Sequence, residues 1–304
     1  MRPIALPAFV FIVLLLPTAA QTPQAQEMTV RRMGPPPPER VELSAPEAAV
    51  PMQSLGGRPV VNVTIDGKGP FPFIVDTGAS GMVLTNSLAD ELHLTVLGEA
   101  RVGSPTGGEP KPGRIVKIAQ LELGAAKVSG IHAVATDLPT PNDGEYRGVL
   151  SPALFPQYLV IFDFPAQSLR IRLGELPAAD GKEIFEYDPQ DRLPSVTLDL
   201  AGTAIKAHLD TGAPHEISVP ARYATTLPLA AAPTDAGKGR LIDREVALTQ
   251  ARLNGKARLG SLTFDQPMIV FNESLPMGNI GSAILRRLVM SIDRAHNRVR
   301  LQQP

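Results

Sequence analysis

The chain has no cysteine and no tryptophan in 304 residues. Without a thiol there is no disulfide, thiolate metal site, iron–sulfur cluster, cysteine nucleophile or lipid anchor at a cysteine. An excess of one charge is also missing. Lys and Arg number 29 against 30 Asp and Glu, for a formal net charge of −1, and no basic arm or acidic tail breaks the balance. Nucleic acid is therefore not an expected partner. The five histidines, His93, His132, His208, His215 and His296, lack metal-ligand spacing, and neither a Gly-x-Ser-x-Gly nor a phosphate-loop pattern is present. No metal and no cofactor is expected. The 26 glycines and 31 prolines make the chain rich in turns, yet below the roughly 25–30% that marks low-complexity disorder.

The N-terminus reads as an address. Arg2 precedes an apolar stretch from Ile4 to Leu16, and Pro17-Thr18-Ala19-Ala20 then offers small residues for cleavage. Residues 1–20 are predicted to be a secretory signal peptide, because the stretch falls short of the ~20 residues that span a bilayer. The expected location is periplasmic or secreted, with no membrane span after cleavage; a retained anchor is the other reading. Residues 21–50 show no apolar periodicity and contain Pro35-Pro36-Pro37-Pro38, which favours a stiff polyproline II segment. They are read as a linker or tether, with a cleavable pro-segment left open.

Beyond residue 50 the chain repeats itself. Val60 to Gly67 alternates at period two into a turn, and Phe71 to Val75 then runs into Asp76-Thr77-Gly78-Ala79-Ser80. The same order returns with Val196 to Gly202, Ala204 to Leu209 and Asp210-Thr211-Gly212-Ala213-Pro214, 134 residues later. Gly148-Val149-Leu150-Ser151 and the strand ending at Asp163 return 130 residues on as Gly278-Asn279-Ile280-Gly281 and the strand ending at Asp293. Short β runs broken by Gly, Pro and Asp-Gly dominate, and no βαβ rhythm is seen. Two short helices per half are expected: Ser87 to Leu92 behind Asn86 as N-cap, and Pro152 to Phe155, with counterparts at Pro220 to Thr226 and Ser282 to Arg287. The repeat divides the chain into residues 51–178 and 179–304.

Average composition yields one Asp-Thr-Gly by chance about 0.05 times in a chain of this length, so two at equivalent points of a repeat carry meaning. On these residues the chain resembles the aspartic protease clan that contains pepsin and the retroviral proteases. The matched motifs are Ile74-Val75-Asp76-Thr77-Gly78-Ala79 and His208-Leu209-Asp210-Thr211-Gly212-Ala213, where His208 breaks an apolar position. The downstream Gly-apolar-apolar-Gly element is met imperfectly, with Ser151 in one copy and Asn279 in the other. The resemblance implies an all-β fold of two homologous pepsin/retropepsin-like β-barrel lobes in one chain, with the cleft between them. It also implies an aspartic endopeptidase with Asp76 and Asp210 as the catalytic pair, acting on an extended peptide or protein substrate. Carrying both loops in one chain removes the need for a dimer, so a monomer is expected. A catalytically silent peptide-binding module with the same fold is the alternative.

Two carboxylates sharing one proton can activate a water and protonate a carbonyl oxygen in the same step. Gly78 and Gly212 are expected to let the backbone pass closely and aim N–H groups at the carboxylates. From the resemblance, Thr77 and Thr211 are expected to hydrogen-bond across to the opposite loop. Ser80 can donate to Asp76 whereas Pro214 has no donor for Asp210, so Asp76 is predicted to be the more acidic partner. Residues 98–114, with Gly103, Gly107 and Gly108, are read as a lid whose tip lacks the flap tyrosine of pepsin-like enzymes.

Overall fold

In the computed structural model the described residues are 35–103, 109–138, 145–189, 193–241 and 244–304, and almost all of their regular structure is strand. The first stretch forms β1 (Arg40–Leu43), β2 (Glu47–Pro51), β3 (Gln53–Leu55), β4 (Arg58–Ile65), β5 (Lys68–Val75) and β6 (Val83–Thr85). After a helix at Asn86–Glu91 come β7 (Thr95–Val102), β8 (Lys111–Leu123), β9 (Ala126–Thr136) and β10 (Gly148–Leu150). All but β2 join one nine-stranded sheet in the order β1-β9-β6-β10-β5-β4-β8-β7, with β3 along β4. Because β8 also pairs with β9, the strands from β9 to β8 close into a ring, with β1, β3 and β7 attached as edge strands.

Next come β11 (Leu159–Asp163), β12 (Ser168–Arg172) and β13 (Ile184–Glu186). Then β14 (Ser195–Leu200), β15 (Thr203–Asp210), β16 (Ile217–Pro220), β17 (Thr234–Arg240) and β18 (Glu245–Arg252) are laid down. The chain continues with β19 (Lys256–Leu259), β20 (Leu262–Asp265), β21 (Met268–Asn272) and β22 (Gly278–Gly281). Strands β14 to β22 form a second nine-stranded sheet, β17-β18-β21-β16-β22-β15-β14-β19-β20. Its core pairings repeat those of the first sheet. Parallel β16–β21, antiparallel β16–β22 and parallel β15–β22 answer β6–β9, β6–β10 and β5–β10.

Local sequence explains these elements. In β4, Val61, Val63 and Ile65 are buried while Asn62 is exposed, the period-two signature of a strand with one face on a core. Asp66 and Gly67 take positive φ of 48° and 77°, as a two-residue hairpin turn requires. Ala201 and Gly202 do the same between β14 and β15, at 52° and 94°. Phe73, Leu84, Ile118 and Leu121, and in the second sheet Leu209, Ile217, Ile269 and Ile280, lie in one large buried cluster. Each such side chain contributes roughly 1.5–3 kcal/mol by burial.

The structure departs from the sequence reading in three places. Residues 40–50 are not linker: β1 pairs with β9 and β2 with β12, and Tyr158 donates its hydroxyl to the Val41 carbonyl at 3.0 Å. Both are short strands on sheet edges, so their partners come from distant sequence and no local periodicity announces them. The signal peptide and residues 21–34 lie outside the described residues. The boundary at 178/179 is bridged by a six-stranded sheet, β13-β24-β23-β11-β12-β2, where β23 is Val289–Asp293 and β24 is Arg298–Gln302. Finally, the first helix is capped by Thr85, whose Oγ1 accepts the Leu88 N–H, and not by Asn86, which is its first residue. The other expected helices are short: 3₁₀ turns at Pro152–Leu154 and Ala221–Thr225, and a four-residue helix at Ser282–Leu285.

Candidate active site

Strand pairing delivers the two aspartates to matching points. Val75 sits beside Leu150 in the parallel pair β5–β10, and Asp76 N–H donates to the Leu150 carbonyl at 2.9 Å. Leu209 and Asp210 sit beside Ile280 and Gly281 in β15–β22. Each chain then leaves its sheet in an Asp-Thr-Gly loop, and the two loops meet.

Four hydrogen bonds lock that meeting. Thr77 N–H donates to Thr211 Oγ1 and Thr211 N–H to Thr77 Oγ1, both at 3.0 Å. Each hydroxyl then donates onward: Thr77 Oγ1 to the Leu209 carbonyl at 2.5 Å, and Thr211 Oγ1 to the Val75 carbonyl at 2.7 Å. Thr77 and Thr211 are 2% and 0% exposed, so all four bonds form away from water, where an unmade bond is costly.

Between the threonine pair and solvent stand the carboxylates. Gly78 N–H donates to Asp76 Oδ1 at 2.7 Å, and the Gly212 and Ala213 N–H groups donate to Asp210 Oδ1 at 3.0 and 3.1 Å. Only glycine fits at either position. A Cβ on Gly78 would lie 2.9 Å from Asp210 Oδ1, and one on Gly212 would lie 2.6 Å from Asp76 Cγ. These contacts across the loops show that each glycine faces the opposite aspartate.

The electrostatics follow from crowding. Burial raises the Asp76 carboxyl above its ordinary range, against the Gly78 N–H, a hydrogen bond with Asp210 and the charge of Arg58. Asp210 is pushed up to about 7, first by burial and then by the charge of Asp76, with the Gly212 and Ala213 N–H groups working the other way. Two carboxylates in contact cannot both ionise cheaply, so the pair titrates as a unit. Asp210 is the partner that its neighbour's charge burdens, and it holds the proton longer.

The predicted reason for that asymmetry does not hold. Ser80 is exposed and makes no hydrogen bond to Asp76, because the chain turns outward after Ala79. Ser151 occupies the inner position instead, donating its hydroxyl to the Ala79 carbonyl at 2.6 Å. Two residues that the sequence reading did not assign also reach the site. Arg58, at the start of β4, donates Nε to the Gly212 carbonyl at 2.6 Å, tying the first sheet to the second loop. Burial and the charge of Arg58 lower the His215 pKa. Asn279 Nδ2 donates to Asp210 Oδ2 at 2.8 Å. Its signal was the break in the apolar pattern; Arg58 carried none.

The segment expected to be a lid includes a hairpin of β7 and β8, paired up to Val102 and Lys111. Gly103 comes directly after the end of β7, while Gly107 and Gly108 lie outside the described residues. Among the described residues no group of His, Asp or Glu is placed to hold a metal ion, and no helix is long and apolar enough to cross a membrane.

Residues 61–151, which include Asp76 and its loop, match a family model described as aspartyl protease. No curated protein matches the chain. Over residues 61–151 that match supports an aspartyl protease of the pepsin/retropepsin-like kind.

Proposed function

We propose that the protein is an exported aspartic endopeptidase in which two homologous lobes, products of an internal duplication, each supply one aspartate to a cleft between them. The observation that carries this reading is the reciprocal Thr77–Thr211 bonding, which holds Asp76 and Asp210 together from loops 134 residues apart. In this mechanism the Asp76 carboxylate takes a proton from the water while the water oxygen bonds to the peptide carbonyl carbon. Asp210 gives its proton to the carbonyl oxygen, and a gem-diol results. Collapse breaks the C–N bond as Asp76 passes its proton to the leaving amine nitrogen and one diol hydroxyl returns a proton to Asp210, leaving a carboxylic acid and an amine. The matched Asp-Thr-Gly loops and the raised carboxyl of Asp210 at about 7 support these roles, since a general acid must hold its proton at working pH. Substrate would lie extended across the pair and add a strand to the β7–β8 hairpin. The single chain is proposed to act as a monomer.

The test is cleavage of a mixed peptide library from pH 3 to 7 by the wild type and by Asp76→Asn and Asp210→Asn. Cleavage by the wild type and none by either variant is expected. Cleavage that survives in either variant sinks the two-aspartate mechanism, and none by any form favours the silent peptide-binding module.

A further inference from the structure

The two halves of the site differ at one register position. Val149 of β10 stands beside Ile74 of β5, two residues before Asp76. Its counterpart Asn279 of β22 stands beside His208 of β15, two residues before Asp210. Side chains two apart on a strand project to the same face, so both positions look toward the carboxyl pair. Valine offers no polar atom there. Asparagine does, and its Nδ2 reaches Asp210 Oδ2 at 2.8 Å, whereas the loop N–H groups of Gly212 and Ala213 both go to Oδ1. The residues three positions after each aspartate, Ala79 and Ala213, have no side-chain donor.

We propose that Asn279 is the positioning residue of Asp210, holding its second oxygen so that the carboxyl plane is fixed and its ionised form is favoured against burial. This rests on the protease reading above for its consequence in catalysis, though not for the titration itself. A carboxamide suits the task because it donates a hydrogen bond without adding a charge or a titration of its own. The titratable and charged groups around Asp210 are Asp76 across the pair, Arg58 beyond the Gly212 carbonyl, and His208 and His215 on its own segment. None of these is displaced by changing Asn279. Among the described residues Asp76 has no equivalent neutral side-chain donor, so the bond to Asn279 makes the pair asymmetric by construction.

The experiment is a carbon NMR titration of the full chain labelled at the aspartate carboxyls, in the wild type and in Asn279→Val, which copies Val149. A hydrogen bond to a charged group translates into about one pH unit or more, so the upper apparent pKa of the pair is expected to rise by about one unit. In parallel, kcat for peptide cleavage is expected to fall with KM little changed, and its alkaline limb to move up by the same amount. Ile280→Val, next door on β22, perturbs packing without touching Asp210 and should leave the titration in place. An unchanged titration in folded Asn279→Val, or an equal shift in Ile280→Val, overturns the proposal. Where the valine variant does not fold, Asn279→Ser, too short to reach Oδ2, must show the same upward shift, and no shift overturns the proposal equally. Absence of cleavage by every form would count against the protease reading alone, because the titration needs no substrate.

Discussion

The loop at Asp76 and the loop at Asp210 share a backbone plan and differ in what surrounds it. Around Asp76 the flanking strands present Ile74 and Val149, and Ser151 closes the loop with a hydroxyl on the Ala79 carbonyl. Around Asp210 the same positions hold His208, Asn279 and Gly281. There a Cβ on residue 281 would lie 2.2 Å from the His215 carbonyl, so serine cannot take the place it has in the first loop. Asp76 accepts the Gly78 N–H, is also favoured by the Gly212 N–H across the loops and feels Arg58; Asp210 accepts the Gly212 and Ala213 N–H groups and Asn279. The shared plan brings the carboxyls together. The differences pull in opposite directions: Arg58 favours the charged form of Asp76, while the extra donors favour that of Asp210 and temper the rise that burial and the charge of Asp76 impose on it.

The most damaging way to break the comparison is at its glycines. Gly212→Ala puts a methyl 2.6 Å from Asp76 Cγ, and displacing a reacting group by that much is expected to cost cleavage about a hundredfold or more. Gly78→Ala, whose methyl meets Asp210 Oδ1 at 2.9 Å, should cost less; steady-state kinetics of the two variants give the order. Next come the threonines. Thr77→Val and Thr211→Val each remove one donor and leave a buried N–H and a buried carbonyl without partners, at about 3 kcal/mol each. Each variant loses two of the four bonds and the two sets do not overlap, so urea unfolding of the double variant should lie near the sum, with any departure measuring the coupling between the loops.

The pH dependence of stability separates the two carboxyls. Asp210 titrates at about 7 in the fold against an ordinary 3.8, so the folded state holds a proton that the unfolded state has released. Its cost is absent below pH 4, grows as pH rises toward 7, and is constant above. The difference in melting temperature between Asp210→Asn and the wild type should therefore widen in favour of the variant from pH 4 to 7. A difference that is flat across that window contradicts the raised value. Arg58→Gln acts on the other partner: losing the positive charge should raise the Asp76 pKa further, shifting the acid limb of the kcat profile up by less than one unit.

The smallest test lies far from the site, in the matching hairpin turns. Asp66 takes positive φ and accepts the Gln120 N–H at 2.7 Å, but Ala201 holds the same conformation with no such bond. Ala201→Asn should stabilise by about 0.5 kcal/mol, since asparagine tolerates the left-handed region, and Asp66→Ala should destabilise by about 1 kcal/mol. Chemical denaturation reads both.

Legibility in the sequence followed the range of the interaction. Alternation in β4 and the Asp66-Gly67 turn could be read because a strand face and a hairpin are set by neighbours. Both Asp-Thr-Gly loops and the role of their glycines could be read because the motif compresses a tight turn into three residues. The edge strands β1 and β2 were hidden, since four or five residues with one partner leave no period to count. Ser80 was assigned to Asp76 on sequence proximity, but the direction of the chain after Ala79 sends it to solvent and brings in Ser151 from 72 residues away.

The sequence by itself determined an all-β chain without thiols or an excess of charge, and two repeated aspartate loops, because composition and period are properties of the chain alone. Tertiary structure decided which groups attend each carboxyl. Arg58 and Asn279 reach Asp210's loop from 154 and 69 residues away, and only the pairing of β5 with β10 and of β15 with β22 fixes which side chains share a face with the aspartates. A carboxyl's acidity depends on burial and on charges and donors within a few ångströms, and those distances exist only once the sheets have closed.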